Sequence, residues 1–334
     1  LQPTTQLKNI LKDMDIVCQA INYTRDLVNH PANKITPKYF AEEALALSKK
    51  HEKLKVRILS QQEMIKLGMG GFLGVSAGSQ HKPQFIVLEY LNSNKKSAKP
   101  KIFIGKTITF DSGGISLKPS ENMDEMKMDM AGGGAVLGAI KAICELGLKT
   151  NVIGIIPACE NMPSGSAYKP GDILMASNHK TIEVLNTDAE GRIVLADALS
   201  YASKYKPEYV IDLATLTGAC MIALGTFRAG LFSNNQSLIG KINKISNQID
   251  ELVWTMPLDE EYGELIKSKI ADIRNIATTK FGGAIIGAKF LQEFVSYPWA
   301  HLDIAGVAWS DNSKSWFNPG ATGFGVHLII ELAK

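Results

Sequence analysis

Apolar residues recur at three- and four-residue spacing over the first part of the chain, and this period is typical of amphipathic helices. The first helix is predicted to continue toward Leu27 and to end before Pro31, because proline blocks helix continuation. Thr36 and Pro37 resemble an N-cap followed by proline at the first helical position, which predicts a second helix to about Lys50. The chain is therefore expected to open with two helices.

Short apolar runs, alternating or continuous, predict strands further along. These lie at residues 54–58, 85–90, 102–104, 152–156, 210–213 and 299–304, and a hairpin is predicted over residues 175–184. Helices are predicted over residues 134–148, from residue 190 onward, and near residues 239–252, 284–295 and 321–332. Because helices and strands alternate, we expect an α/β fold with a mixed, largely parallel central sheet sandwiched by helices.

The composition is that of a globular protein and argues against several functional classes. Of the 334 residues, 45% are apolar and 21% are charged, so the chain can bury a large core. The 36 basic and 33 acidic residues leave a net charge of only +3, which argues against a nucleic-acid or anionic-membrane surface. No apolar run approaches the roughly 20 residues that a membrane span needs.

The cysteines are widely spaced and form no C-x-x-C pair, which is typical of reduced thiols and favours a cytoplasmic location. The sequence begins at Leu1 rather than at methionine, so we expect it to be part of a longer product. It also contains no H-E-x-x-H motif, and a metal site would therefore need carboxylate ligands.

The run NTDAEGR at residues 186–192 joins a predicted strand to a predicted helix. In an extended segment residues two apart point the same way, so Asp188, Glu190 and Arg192 are expected to lie on one side. The two carboxylates would repel each other, and a metal ion between them would remove that repulsion. The alternative is an ordinary helix start, where the helix dipole favours acidic side chains.

Polar residues that follow other predicted strands point to the same place. Residues 105–114 come directly after a buried apolar strand and contain Lys106 and Asp111. Lys118 follows, and then Asp129 just before a glycine run that opens a helix. Open α/β sheets usually place their sites beyond the carboxyl ends of the strands. The candidate metal ligands are therefore Asp111, Asp129, Asp188 and Glu190.

Three longer phrases carry a more specific signal. They are GKTITFDSGGISLKPSENMDEMKMDMAGGGA (105–135), CENMPSG (159–165) and NTDAEGRIVLADA (186–198). These phrases resemble those of the leucyl aminopeptidase family, the cytosolic aminopeptidases that use two metal ions. ATLTGA (214–219), AHLDIAG (300–306) and GATGFGV (320–326) fit the same family. The resemblance implies a linker helix at residues 1–30, leading out of a missing N-terminal domain, and a catalytic aminopeptidase domain at residues 31–334.

The resemblance also implies two divalent metal ions, of Zn, Mn, Mg or Co. One would be held by Lys106, Asp111, Asp129 and Glu190, and its neighbour by Asp111, Asp188 and Glu190. Lys106 would have to lose its proton, because only a neutral amine ligates a metal. Paired ions of this kind can share an activated water and hold the reacting oxygens.

Further roles follow from the same resemblance. Lys118 would stay cationic and stabilise the anionic tetrahedral intermediate at the scissile carbonyl. Arg192 would bind a bicarbonate proposed to act as general base. The implied activity is hydrolysis of the N-terminal residue, leucine-like preferred, from peptides by a homo-hexamer. The positions that match the side-chain pocket of the family are Met126, Thr215, Gly218 and Ala305.

The chain departs from the family pattern at Thr107, where a glycine usually follows the metal-binding lysine. A β-branched residue is stiff and does not take positive φ comfortably. We therefore expect the detailed position of Lys106, but not its identity, to be affected. Ile193 in place of the usual leucine is a milder packing change.

Other functions have weaker support. GVSAG at residues 74–78 matches the nucleophile elbow of serine esterases, but residues 79–83 start a helix poorly, so a glycine-rich loop is expected. GKT at residues 105–107 would need a glycine at Pro100 to be a phosphate-binding loop. A DNA-binding accessory protein is disfavoured by the weak net charge. An inactive enzyme is disfavoured because every motif carboxylate, both lysines and the arginine are present.

Overall fold

A mixed sheet runs through the centre of this computed structural model, which describes residues 4–95, 97–311 and 318–334. The strands are β1 (Leu54–Leu59), β2 (Gln84–Leu91), β3 (Lys101–Gly105), β4 (Thr107–Asp111), β5 (Asn151–Asn161), β6 (Ile173–Met175), β7 (Thr181–Glu183), β8 (Tyr209–Ala214), β9 (Ala229–Ser233), β10 (Val253–Thr255), β11 (Ile273–Arg274), β12 (Trp299–Asp303), β13 (Trp309–Ser310) and β14 (Gly320–Ala321). In the described residues, β6, β7 and β11 form a small second sheet, β13 pairs with β14, and the others form the central sheet.

The central sheet follows the order β1-β2-β5-β3-β8-β12-β9-β10, and β4 pairs with β5 beyond the end of β3. β3 lies parallel to both β5 and β8, β12 is parallel to β8, and β10 is parallel to β9. The pairs β1–β2, β2–β5 and β9–β12 are antiparallel. The expected mixed, largely parallel sheet is confirmed.

Helices cover both faces of this sheet. They are α1 (Thr5–Asn29), α2 (Pro37–Lys50), α3 (Gln61–Lys66), α4 (Gly70–Ser76), α5 (Ala131–Glu145), α6 (Glu190–Ala202), α7 (Gly218–Leu224), α8 (Gln236–Ile249), α9 (Glu261–Glu264), α10 (Gly283–Gln292) and α11 (Val326–Ala333). On one face, α1, α2, α5, α8 and α11 share a core with Phe103 of β3. On the other, α4, α6 and α10 pack with Ile102 and Ile104 of the same strand. No helix in the described ranges combines the length and apolar character needed to cross a membrane.

The first two helices begin and end as the sequence predicts. α1 ends at Asn29, just before Pro31, and α2 begins at Pro37. The Thr36 hydroxyl accepts a hydrogen bond from Tyr39 N at 3.3 Å and so caps α2. Local signals were sufficient here because capping involves only neighbouring residues.

The last helix begins later than its apolar pattern predicts. α11 starts at Val326 rather than at residue 321. Gly320, Gly323 and Gly325 have φ values of 115°, 75° and 95°, which a right-handed helix cannot contain. The predicted start was therefore wrong by about one and a half turns of helix.

The G-x-S-x-G match does not form a nucleophile elbow. Ser76 is the last residue of α4, so this segment is a helix and the expected glycine-rich loop was wrong. Its hydroxyl donates to Leu73 O at 2.9 Å, and the residue is only 5% exposed. An elbow needs a strand before the serine, whereas α3 is the element that precedes α4 here.

Candidate metal centre

Lys106 is held in place by backbone pairing at the carboxyl end of β3. Its N–H donates to Leu213 O on β8 at 3.0 Å, and its carbonyl accepts from Gly133 N at 2.9 Å. The chain then continues directly into β4, whose last residue is Asp111. Lys106 and Asp111 are thus fixed to the sheet and to the first turn of α5.

Asp129 and Glu190 approach the same point from two helical segments. Asp129 lies near the end of a 3-10 helix at Met123–Met130, and Glu190 is the first residue of α6. Carboxylate oxygens of Asp111, Asp129 and Glu190 lie within 4.8 Å of one another. The three residues are 3%, 7% and 1% exposed. Carboxylates from separate parts of the chain therefore converge in a buried cluster.

The Lys106 ammonium lies inside this cluster. Its Nζ is 2.7 Å from Asp129 Oδ1 and 2.9 Å from Glu190 Oε1. It also donates to Thr215 O at 2.9 Å. The side chain is 4% exposed, so it reaches the carboxylates through protein interior rather than through solvent.

Lys118 and Asp188 form the outer part of the centre. Lys118 Nζ is 2.9 Å from Asp111 Oδ2 and 2.5 Å from Asp188 Oδ1. Their side chains are 21% and 33% exposed, so this part is open to solvent. Asp111 contacts Lys118 and also belongs to the buried cluster, and it therefore links the two parts.

Burial and mutual repulsion shape the charges of these groups. Burial raises the pKa of Asp129 and Glu190, and the neighbouring carboxylates raise it further. Burial alone would lower the pKa of Lys106 and Lys118, but the attraction of the adjacent carboxylates outweighs it, so both lysine pKa values are raised. Four carboxylates face two ammonium groups, and this excess of negative charge favours a bound cation.

Two oxygens of the cluster have no hydrogen-bond donor. Within the described part of the chain, Asp129 Oδ2 and Glu190 Oε2 are buried and unpaired. An unpaired buried acceptor is rare and costly, and it is often explained by an ion. An oxygen-rich set with one amine suits Zn, Mn, Mg or Co. The residues present therefore fit divalent metal ions, and Lys106 can join the ligands only after losing its proton.

The run NTDAEGR is not extended throughout, as the sequence pattern predicted, because α6 begins within it at Glu190. The rule that residues two apart point the same way therefore does not apply between Glu190 and Arg192. Arg192 Nη1 instead donates to Asn275 O at 2.8 Å, and no carboxylate of the described chain lies within ion-pair distance of the guanidinium. Burial lowers the pKa of Arg192 to about 10, although Glu190 and Asp303 oppose the effect.

Asn161 also belongs to the site, although no motif in the sequence predicts it. Asn161 ends β5 and is fully buried. Its Nδ2 donates to Asp111 Oδ1 at 2.8 Å and to Thr187 O at 2.9 Å. The phrase CENMPSG, which resembles the family, contains Asn161 and is the one signal in the sequence that could have pointed to it.

The four residues matched to a side-chain pocket differ in how closely they approach the centre. Thr215 touches it, because its hydroxyl donates to Asp129 Oδ1 at 2.7 Å. Met126 is half-buried in the 3-10 helix that carries Asp129. Gly218 begins α7 and faces open space. Ala305 follows β12, where its N–H donates to Asp303 Oδ1 at 3.2 Å.

Thr107 occupies a regular strand position beside Lys106. It is buried in β4, and its hydroxyl donates to Gly105 O at 2.8 Å. Its side chain fills the space in front of Gly133, where an added Cβ would lie 1.9 Å from Thr107 Oγ1. All three of the closest atoms to that Cβ belong to Thr107.

This packing makes a prediction about Gly133→Ala. The methyl group would overpack the site, so we expect Gly133→Ala to lower the free energy of unfolding by about 1–3 kcal/mol. In a Thr107→Gly background the space is free, and the cost of Gly133→Ala should largely disappear. Urea unfolding of the two single variants and the double variant measures this coupling. Additive losses would contradict it.

Comparison with known proteins points to one family. The catalytic domain of the cytosol aminopeptidase family matches residues 22–330. A probable cytosol aminopeptidase of Paraburkholderia phymatum is 52% identical over 316 residues, which is 94% of this chain and 61% of the relative. Those of Geobacter sulfurreducens and Alkaliphilus metalliredigens are 47% and 49% identical over 332 residues, covering 99% of this chain and 66% of each relative. The chain thus spans somewhat less than two thirds of these relatives.

Proposed function

The chain belongs to the cytosol aminopeptidase family, and from this premise we propose that it is a metal-dependent aminopeptidase that removes the N-terminal residue from peptides. The resemblance found in the sequence is confirmed at the level of the family. The observation that carries the proposal is the buried cluster of Asp111, Asp129 and Glu190, in which Asp129 Oδ2 and Glu190 Oε2 have no hydrogen-bond donor among the described residues. Two lysines lie beside this cluster: Lys106 is buried, and Lys118 is partly exposed.

The proposed metal ligands divide into two overlapping sets. Lys106, Asp111, Asp129 and Glu190 would hold one ion, and Asp111, Asp188 and Glu190 the other. The sharing of Asp111 is supported by its position between the buried and outer parts of the centre. Divalent ions bound there would supply a water that ionises near neutral pH and a Lewis acid for the carbonyl oxygen.

Lys118 is proposed to stabilise negative charge on the scissile carbonyl oxygen. Burial lowers the pKa of Lys118, but Asp111 and Asp188 raise it by more. The ammonium therefore stays charged at neutral pH. Its partial exposure would let a substrate reach it, unlike Lys106. A cationic donor aimed at developing charge is among the strongest contributions to catalysis.

Arg192 is proposed to hold a bicarbonate that serves as general base. The guanidinium has five N–H donors, of which Nη1 uses one on Asn275 O, while Nε is buried and has no acceptor in the described part of the chain. A buried cation with unused donors, and with no carboxylate of the described residues paired to it, suits a small planar anion. No histidine is then needed at this position.

A leucine-like preference is proposed for the first residue of the substrate. Met126, Thr215, Gly218 and Ala305 would line its pocket. Thr215 supports this because it contacts Asp129 directly, and Gly218 because a Cβ there would meet none of the described residues within 4 Å, its own helix and chain neighbours apart. A free substrate amine near the metal ligands would restrict cleavage to the first peptide bond.

The proposal is tested by two inhibitors applied to the metal-loaded protein. A chelator is expected to abolish release of leucine from leucyl peptides, and added Mn²⁺ or Zn²⁺ should restore it. A serine-directed fluorophosphonate should leave activity unchanged, because Ser76 is not in an elbow. An N-acetylated peptide serves as the uncleaved control. Activity that survives chelation but not fluorophosphonate would reject the metallopeptidase and favour an esterase.

Residues 1–30 are proposed to be a linker helix from an N-terminal domain, and residues 31–334 the catalytic domain; residues 1–3 lie outside the described residues. Leu7, Ile10, Leu11 and Met14 share a face of α1 but are 43–57% exposed, as expected of a face that another segment covers.

A homo-hexamer in the cytoplasm, without nucleic-acid partners, is also proposed. Sedimentation would separate a hexamer from the 36.3 kDa monomer.

A further inference from the structure

The loop that carries Asp188 is held by side chains rather than by strand or helix pairing. It covers residues 185–189, between β7 and α6. Thr187 O accepts from Asn161 Nδ2 at 2.9 Å and from Tyr168 OH at 2.8 Å. Buried main-chain carbonyls need such donors, and a loop without regular structure must take them from side chains.

Asn275 holds the first residues of the same loop, whereas Ser116 and Gly113 bond Thr187. Asn275 Nδ2 donates to Asn186 O at 2.6 Å, and Asn275 Oδ1 accepts from Leu185 N at 2.8 Å. Both ends of the amide are therefore used on adjacent residues of the loop. The residue is fully buried, so water cannot easily replace these bonds.

The main chain of Asn275 contacts the other functional group of the site. Its N–H donates to Glu183 O at 2.9 Å, which continues the parallel pairing of β11 with β7. Its carbonyl accepts from Arg192 Nη1 at 2.8 Å. One residue thus connects the loop that bears Asp188 to the guanidinium of Arg192.

We propose that Asn275 is a positioning residue that holds the Asp188 loop and Arg192 in a fixed relation. The inference rests on the proposed function, because it assigns that relation to metal and anion binding. Loss of the amide would loosen the loop next to Asp188 and Glu190. Thr187 would remain anchored by Asn161 and Tyr168, so the fold would persist.

The geometry of the amide allows a sharp test with two variants. Asn275→Ala removes the hydrogen bonds that the Asn275 side chain makes to the loop. Asn275→Asp keeps the size and the acceptor for Leu185 N, but it places an oxygen against Asn186 O where a donor is needed. If packing alone mattered, Asn275→Asp would bind metal and turn over substrate as wild type does. If the N–H donor matters, both variants should lose metal affinity and kcat.

A matched control is available at Asn151. Its Nδ2 donates to Ala98 O at 2.9 Å and its Oδ1 accepts from Ser93 N at 3.0 Å, so it joins loop segments in the same way. It lies at the start of β5, whereas Asn161 and the centre lie at its end. Asn151→Ala should reduce thermal stability without changing metal binding.

The experiment is calorimetric titration of the metal-free full chain with Mn²⁺, together with kcat, KM and the response to added bicarbonate. Both Asn275 variants are expected to bind Mn²⁺ about 10–100-fold more weakly, as for other residues that orient metal ligands. Their kcat should fall more than KM changes, and half-maximal activation should need more bicarbonate. Asn151→Ala should match wild type in all of these.

Metal affinity and kcat within twofold of wild type in both Asn275 variants would overturn the proposal. An equal loss of metal affinity in Asn151→Ala would also overturn it, because the effect would then be one of general stability. If wild type binds Mn²⁺ but cleaves no peptide, the proposed function fails. The ratio of Mn²⁺ affinities among the variants would still decide the role of Asn275.

Discussion

Replacing Glu190 by glutamine is expected to remove bound metal and peptidase activity together. Glu190 is 1% exposed, its Oε1 lies 2.9 Å from Lys106 Nζ, and its Oε2 has no donor in the described chain. Glutamine has the same shape, but it replaces one oxygen by an NH₂ group and removes the charge. An amide N–H cannot ligate a cation, so both proposed ions would lose a shared ligand.

The expected loss is large. Residues that only orient ligands cost 10–100-fold in affinity, so loss of a direct ligand should cost at least about 100-fold. Metal content after desalting and kcat on leucine amide measure the two effects separately. Glu183→Gln is the matched control, because Glu183 lies on β7 and accepts from Ser268 Oγ at 2.5 Å, outside the centre. Full activity of Glu190→Gln with unchanged metal content would refute the assignment.

Replacing Lys118 by methionine is expected to lower kcat while metal remains bound. Removal of one donor that stabilises an oxyanion typically costs about 10²–10³-fold in kcat, or roughly 2.7–4 kcal/mol. Lys118 neutralises Asp111 and Asp188 in the described structure. Its loss leaves these carboxylates more negative, so affinity for divalent ions should be kept or increased.

The matched comparison is Lys106→Met, at the other lysine of the centre. Lys106 is proposed to be a ligand, so its replacement should lower metal content as well as kcat. Metal analysis and steady-state kinetics of both variants test the division of roles. If Lys118→Met loses metal to the same extent as Lys106→Met, Lys118 is a ligand or a structural support and not an oxyanion donor.

Local sequence signals predicted those parts of the fold that depend on neighbouring residues. The cap at Thr36, the end of α1 before Pro31 and the hairpin of β6 and β7 follow from turn, cap and periodicity rules. α4 was missed because its glycines favour a loop, yet Phe72 and Val75 are fully buried in the core. Tertiary packing outweighed propensity there.

The identity of the candidate ligands was also accessible from the sequence, because each lies in a phrase with its own polar pattern. The position of the Arg192 side chain could not be predicted from the sequence, because its orientation depends on where α6 begins. Asn275 gave no local signal either. It contacts Leu185 across 90 positions of sequence, and only the pairing of β11 with β7 brings them together.

The sequence by itself determined the alternating elements, the family and the chemical types available to the site. Only the tertiary structure decided how closely Asp111, Asp129 and Glu190 approach one another, which of their oxygens stay unpaired, and that Arg192 donates to Asn275 O. The physical reason is the strand order. β3 lies between β5 and β8 although long helices separate them in sequence, so the distances within the site depend on sheet pairing and not on local preference.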